Sequence, residues 1–112
     1  MKAEAKSVDV EAAIAEMVRR IVEKFHPEKI ILFGSHARGD ATPDSDVDLL
    51  VVMLVDGSPI KKEVELRGVV HGLGVPKDIF VSDSAEFESR KDIIGTIEYP
   101  ATREGKLLYA RS

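Results

Sequence analysis

Two carboxylates set two residues apart, Asp46 and Asp48, open an apolar run that continues through Leu49-Leu50-Val51-Val52. In an extended strand, residues i and i+2 share a face, so both acids point the same way. Two like charges on one face of an apolar strand are costly unless a cation neutralises them. Carboxylate oxygens are hard ligands that suit Mg²⁺ or Mn²⁺. With no cysteine and only the scattered His26, His36 and His71, zinc is disfavoured.

Upstream, Gly34-Ser35 closes the apolar run Ile30-Ile31-Leu32-Phe33 and opens what reads as a helical turn, His36-Ala37-Arg38. Backbone N–H groups at such a start bind phosphate oxygens, glycine permits close approach, and the Ser35 hydroxyl adds a donor. Arg38 adds positive charge. A phosphate cradle followed by a carboxylate pair is what phosphoryl transfer requires, because that chemistry rests on positioning and charge neutralisation. Asp78, in the apolar stretch from Val75 to Val81, is the third carboxylate; beside the pair it would share a second metal and deprotonate an attacking hydroxyl. Taken singly, Asp-x-Asp is commonly a turn or cap, Gly-Ser a loop, Asp78 a strand-end acid, and Arg38 a partner for Asp40 or Asp44. Their joint spacing favours a site: Gly34-Ser35, ten residues, then Asp46-x-Asp48, each at the border of an apolar strand. Ser45 shapes the approach to Asp46. The histidines read as surface or helix-end residues, and Lys77 points away from the acidic face.

These residues need elements to hold them. From Val8 to Phe25, apolar residues at Val10, Ile14, Met17, Val18, Ile21, Val22 and Phe25 keep helical spacing, with Ser7 as cap and Pro27 at the end. Residues 1–7 read as a flexible tail. Ile30–Phe33 and Val47–Met53 read as buried strands, and Asp56-Gly57 as a turn. Ser58-Pro59 caps a second helix whose stripe is Ile60, Val64, Val69, Val70 and Leu73, ended by Gly72 and Gly74. Asp78–Val81 is a third strand, Ser84–Lys91 a polar surface helix, and Glu86 to Asp92 a solvated face. Ile93–Tyr99 is readable as helix, interrupted or ended by Pro100, and Lys106–Tyr109 as a short closing strand. Tyr99 and Tyr109 read as packing residues with wet hydroxyls. Helices alternating with strands indicate an α/β or α+β fold, a small sheet covered by helices.

The 112 residues suffice for one domain, 1–112, with one core; a chain this small leaves room for a homo- or hetero-oligomer to add burial. With 44% hydrophobic and 32% charged residues, disorder is not indicated. Twenty acidic against 16 basic residues give a net charge of −4, which disfavours a long nucleic-acid substrate. No apolar run approaches a bilayer span, the N-terminus lacks the apolar stretch of a signal peptide, and the absence of cysteine fits a reducing cytoplasm.

Gly34-Ser35-His36-Ala37-Arg38-Gly39 together with Ser45-Asp46-Val47-Asp48-Leu49 resembles the minimal nucleotidyltransferases of the DNA polymerase β superfamily. The likeness is strongest over Ile30 to Val52, continues to Asp78, and reappears in Arg103-Glu104-Gly105-Lys106-Leu107-Leu108-Tyr109. It implies a palm-like mixed β-sheet flanked by helices and transfer of nucleoside monophosphate, AMP from ATP above all, to an acceptor hydroxyl. Carried over, Gly34 and Ser35 hold the triphosphate, Asp46 and Asp48 hold two Mg²⁺, and Asp78 completes the triad. Larger relatives seat the acceptor on a second domain absent here. Minimal members often pair with a separate helical protein of the HEPN type, and some are antitoxins that transfer AMP to a tyrosine of that partner.

Two readings of different classes compete. One is an enzyme that adenylylates a partner protein as the antitoxin of a two-component module. The other is a nucleotide-binding module that neutralises the partner by covering it. Transfer to a small molecule such as an aminoglycoside, or to an RNA 3′ end, is disfavoured by the missing acceptor domain and the acidic balance.

Overall fold

The computed structural model describes residues 9–112, so Ser7, Val8 and the tail expected over residues 1–7 lie outside the described residues. The first helix, α1 (Val10–Phe25), begins two residues later than its apolar periodicity suggests. Asp9 is its cap, accepting from the Ala12 N–H at 3.1 Å and so satisfying one of the free donors of the first turn. His26 ends it in the left-handed conformation, just before Pro27. There follow β1 (Lys29–Phe33), the single turn α2 (Ser35–Arg38), β2 (Val47–Met53), α3 (Pro59–Val69), β3 (Lys77–Asp83), α4 (Ser84–Arg90), α5 (Glu98–Glu104) and β4 (Lys106–Ala110).

The four strands form one mixed sheet in the order β3-β2-β1-β4. β1 runs antiparallel to β2 and β4, whereas β2 and β3, joined by α3, are parallel. Such a parallel pair needs a long crossover, which the Ser58-capped, Pro59-opened α3 supplies. Apart from Lys29 and Asp48, the central strands β1 and β2 are apolar, because both faces are covered. On one face Ile30, Leu32, Val47, Leu49, Val51 and Ile79 pack against Met17 and Ile21 of α1 and Leu66 and Val70 of the α3 end. On the other, Ile31, Phe33, Leu50 and Val52 pack against Phe87 of α4 and Ala101 of α5. Period-two alternation along β2 therefore puts Asp48 on the α4/α5 face, in line with Leu50 and Val52, at the end of the strand which those helices leave open.

Two expectations from periodicity need correction. The α3 stripe is only partly buried: Leu66 and Val70 are sealed, while Ile60 and Val64 are 72% and 62% exposed. Periodicity identified the helix but misplaced its inner face, because Ile60 and Val64 lie about 120° round the axis from the Leu66/Val70 line. In the C-terminal third, Ile93 to Ile97 forms turns, with Gly95 at φ 100°, and the helix starts only at Glu98. Pro100 sits in the first turn of α5, where a missing N–H leaves no bond unmade, so it begins this helix instead of ending one. The Thr96 hydroxyl accepts from the Tyr99 N–H at 3.2 Å and helps to close the turn. Gly105 then lets α5 pass into β4: a side chain there would meet the Ala101 carbonyl and Ile31 Cγ2.

Candidate functional site

The carboxylates are placed by strand register. Asp48 and Asp78 are direct partners in the parallel ladder of β2 and β3, so their side chains emerge side by side on one face. Asp46 lies one residue ahead of β2, in the loop instead of in the strand where its spacing had put it, and is exposed. It nevertheless stays near enough to Asp48 to act on its charge. Burial, then Asp46, then Asp78 push the Asp48 carboxyl above its ordinary range, against weaker opposing pulls from His36 and Arg38.

Across the antiparallel ladder Asp48 pairs with Phe33, and the next residue, Gly34, turns the chain into α2. Gly34 adopts φ 79° and ψ −158°, a region open essentially to glycine alone. Its Cα lies against the Asp48 side chain so closely that a Cβ there would overlap Oδ2 and come within 3.3 Å of Cγ. The glycine is thus required twice, by its dihedrals and by the carboxylate in front of it. In the turn behind it, the N–H groups of Ala37 and Arg38 donate to the Gly34 carbonyl, and those of Gly39 and Asp40 to Ser35. The N–H groups of Ser35 and His36, first in the turn, have no intrahelical acceptor by helix geometry. They are the donors available to an anion, beside the Ser35 hydroxyl.

The loop from Asp40 to Ser45 is tied back over this turn. His36 Nε2 lies 3.2 Å from the Ser45 carbonyl, and Ser45 Oγ accepts from the Thr42 N–H at 2.8 Å. His36, read from sequence as a surface or helix-end residue, lies in α2 and anchors the loop that delivers Asp46. Arg38 forms ion pairs with Asp40 (3.3 Å) and with Glu104 at the end of α5 (3.2 Å). The Asp40 pairing was legible in the sequence; Glu104, sixty-six residues away, was not. Asp78 is held by Arg67 of α3, whose Nη2 donates to Oδ1 at 2.8 Å and to the Ile79 carbonyl at 3.2 Å. No local pattern pointed to Arg67.

Among the described residues no three Asp, Glu or His side chains converge closely enough to enclose an ion by themselves. The donor set still suits one: three carboxylates of like charge, two of them on adjacent strands, and a glycine that keeps the space before Asp48 clear. A hard divalent cation would relieve the repulsion among such groups and draw them together. A concavity of about 560 Å³ lies between α1 and the β1/β4 side of the sheet, lined by Val10, Ile14, Val18, Leu32 and Leu108 and reaching His36 of α2. Of the three carboxylates, Asp46 is exposed and Asp48 and Asp78 are half-buried.

Comparison with known proteins finds relatives of this chain. A protein of Methanocaldococcus jannaschii named as a candidate protein adenylyltransferase is 52% identical over 48 residues, covering 41% of this chain and 48% of that protein. The protein adenylyltransferase MntA of Thermococcus cleftensis is 29% identical over 92 residues, covering 81% of this chain and 92% of its own. The chain thus spans about half of the first relative and nearly all of the second. Among solved structures, a candidate nucleotidyltransferase from Sulfolobus solfataricus superposes with a TM-score of 0.62 at 22% identity, covering 98% of this chain and 91% of that one. A toxin–antitoxin structure with AMP-PNP superposes with a TM-score of 0.51 at 21% identity, covering 91% and 74% respectively. These two likenesses establish the fold, a mixed sheet flanked by helices, as the sequence motifs implied. Residues 14–99, which include Gly34, Ser35, Asp46, Asp48 and Asp78, match the family described as nucleotidyltransferase domain. As its motifs and its mixed sheet both indicate, the chain belongs to the nucleotidyltransferase domain family.

Proposed function

We propose that this chain transfers AMP from ATP, with Mg²⁺, to a hydroxyl group of a partner protein, as the antitoxin of a two-component module whose toxin is a HEPN-type helical protein. The observation that carries the reading is the in-register pairing of Asp48 with Asp78 under Gly34, with Asp46 beside them. The relatives named protein adenylyltransferase and the toxin–antitoxin neighbour with AMP-PNP supply the nucleotide and the class of acceptor.

In this reading Asp46, Asp48 and Asp78 hold the Mg²⁺ ions; when bound, these would neutralise the triphosphate and the charge developing at the α-phosphate. The N–H groups of Ser35 and His36 and the Ser35 hydroxyl bind phosphate oxygens, and Gly34 allows the close approach. Arg38, drawn from Asp40 and Glu104, adds its charge to the outer phosphates. Asp78 accepts the proton of the attacking hydroxyl. The acceptor oxygen forms its bond to the α-phosphorus as the bond to the β-phosphate oxygen breaks, releasing pyrophosphate.

Incubation with labelled ATP, Mg²⁺ and the product of the neighbouring gene should label that product, and Asp46→Ala should abolish the label. Absence of label with every nucleotide would sink the reading. Non-catalytic neutralisation finds support in Arg67, whose ion pair with Asp78 already offsets one of the three carboxylates. It predicts that Asp46→Ala still neutralises the partner, and the same variant separates the two.

A further inference from the structure

Glu63 and Arg67 lie one turn apart on α3 and both reach the sheet edge formed by β3. An edge strand presents backbone groups with no strand partner, and these two side chains supply partners: Glu63 Oε2 accepts from the Val81 N–H at 3.1 Å, and Arg67 Nη2 donates to the Ile79 carbonyl at 3.2 Å. Anchored there, the same Nη2 also holds Asp78 Oδ1 at 2.8 Å. The guanidinium is therefore fixed by main chain, and the carboxylate is fixed by the guanidinium. Among the described residues only Oδ1 is engaged, on a residue whose ladder partner is Asp48. The pair is about half exposed, 47% and 41%, so it adds little to stability and needs another explanation.

We propose that Arg67 is a positioning residue for the third carboxylate: its bond to Oδ1 sets the orientation of Asp78 and leaves Oδ2 for the cation. Its charge meanwhile offsets the acidic cluster and competes mildly with the metal. This rests on the nucleotidyl-transfer reading given above. Arg67→Met removes both charge and clamp while keeping an apolar stem; Arg67→Lys keeps the charge but loses the rigid planar fork.

The experiment combines Mn²⁺ titration followed by electron paramagnetic resonance, thermal unfolding, and kcat and KM for nucleotide, on Arg67→Met, Arg67→Lys, Asp78→Asn and Arg67→Met/Asp78→Asn. Arg67→Met should bind Mn²⁺ about two- to fivefold tighter, as loss of an exposed charge partner implies. Its kcat should fall about tenfold or more, with KM for nucleotide within about twofold, because orientation and not substrate binding is lost. Its Tm should stay within about 4 °C of the unsubstituted chain. Arg67→Lys should hold Mn²⁺ normally and show an intermediate kcat. In the Asp78→Asn background the effects of Arg67→Met should be much smaller.

Weaker Mn²⁺ binding in Arg67→Met, or effects that persist undiminished without the Asp78 carboxylate, would overturn the assignment, since structural damage alone produces that pattern. If no acceptor is labelled, the acceptor reading fails, yet the Mn²⁺ arm still decides the role of Arg67. Coupling between positions 67 and 78 upholds it, and additivity refutes it.

Discussion

Gly34→Ala tests the geometry of the site at a single atom. The residue has φ 79° and ψ −158°, so any side chain is strained there by about 1–3 kcal/mol. The added Cβ also overlaps Asp48 Oδ2. Asp48 cannot retreat by moving its backbone, because its strand is paired with Phe33 on one side and Asp78 on the other. Relief must come from rotating the Asp48 side chain away from the position it shares with Asp46 and Asp78, and an off-rotamer adjustment adds about 1 kcal/mol. The expected loss is about 2–4 kcal/mol, and for a chain of this length each kcal/mol lowers Tm by about 4 °C. Gly39→Ala is the control: its φ is 91°, but a Cβ there meets nothing within 4 Å. It should cost about 1–2 kcal/mol of strain alone and leave Mn²⁺ affinity unchanged. Thermal unfolding together with Mn²⁺ titration reads both effects. Gly34→Ala should lose at least about tenfold in Mn²⁺ affinity through displaced Asp48. Equal behaviour of the two variants, or unaltered Mn²⁺ binding in Gly34→Ala, would refute the reasoning.

Other outcomes are expected. The raised pKa of Asp48 means that its ionisation opposes folding of the apo protein, a penalty present at neutral pH and relieved as pH falls through the raised value. Asp48→Asn should therefore raise the apo Tm near pH 7, by only about 1–3 °C because solvent screens the group, and the gain should vanish towards pH 4. Glu16, lowered to about 2 by its hydrogen bonds to Arg19 and Arg20, acts oppositely. Its stabilising contribution is present above its ordinary 4.5 and lost as pH falls through about 2, so Glu16→Gln should lower Tm at pH 7 and become neutral near pH 2. Ser82 donates to the buried Glu98 carboxylate at 2.8 Å, and Ser82→Ala, which leaves that group without its partner, should cost about 1–3 kcal/mol in urea unfolding.

How far the molecule was legible beforehand depended on the range of the interactions concerned. Val47–Met53 and the Ser58-Pro59 helix start were readable because apolar continuity and capping are local, and the structure places them at those bounds. The pairing of Asp48 with Asp78 was legible only as a hope that two strand acids meet; the parallel register that makes them partners is set by the α3 crossover. Pro100 misled because proline marks both ends of helices, and only Gly95 and Thr96 before it show which end this is. Arg67 and Glu104 escaped altogether, since a charged residue in a polar helix face carries no signal until the fold brings its partner near. The start of α1 was misread because Val8 extends the apolar period, whereas Asp9 closes it by capping.

Metal binding by the three carboxylates is the most direct test. Mn²⁺ titrated into the protein with a non-hydrolysable ATP analogue should bind saturably to the unsubstituted chain, and Asp46→Asn, Asp48→Asn and Asp78→Asn should each weaken that binding by at least about tenfold while the fold is retained. Undiminished Mn²⁺–nucleotide binding in all three variants would contradict a metal-binding role for them.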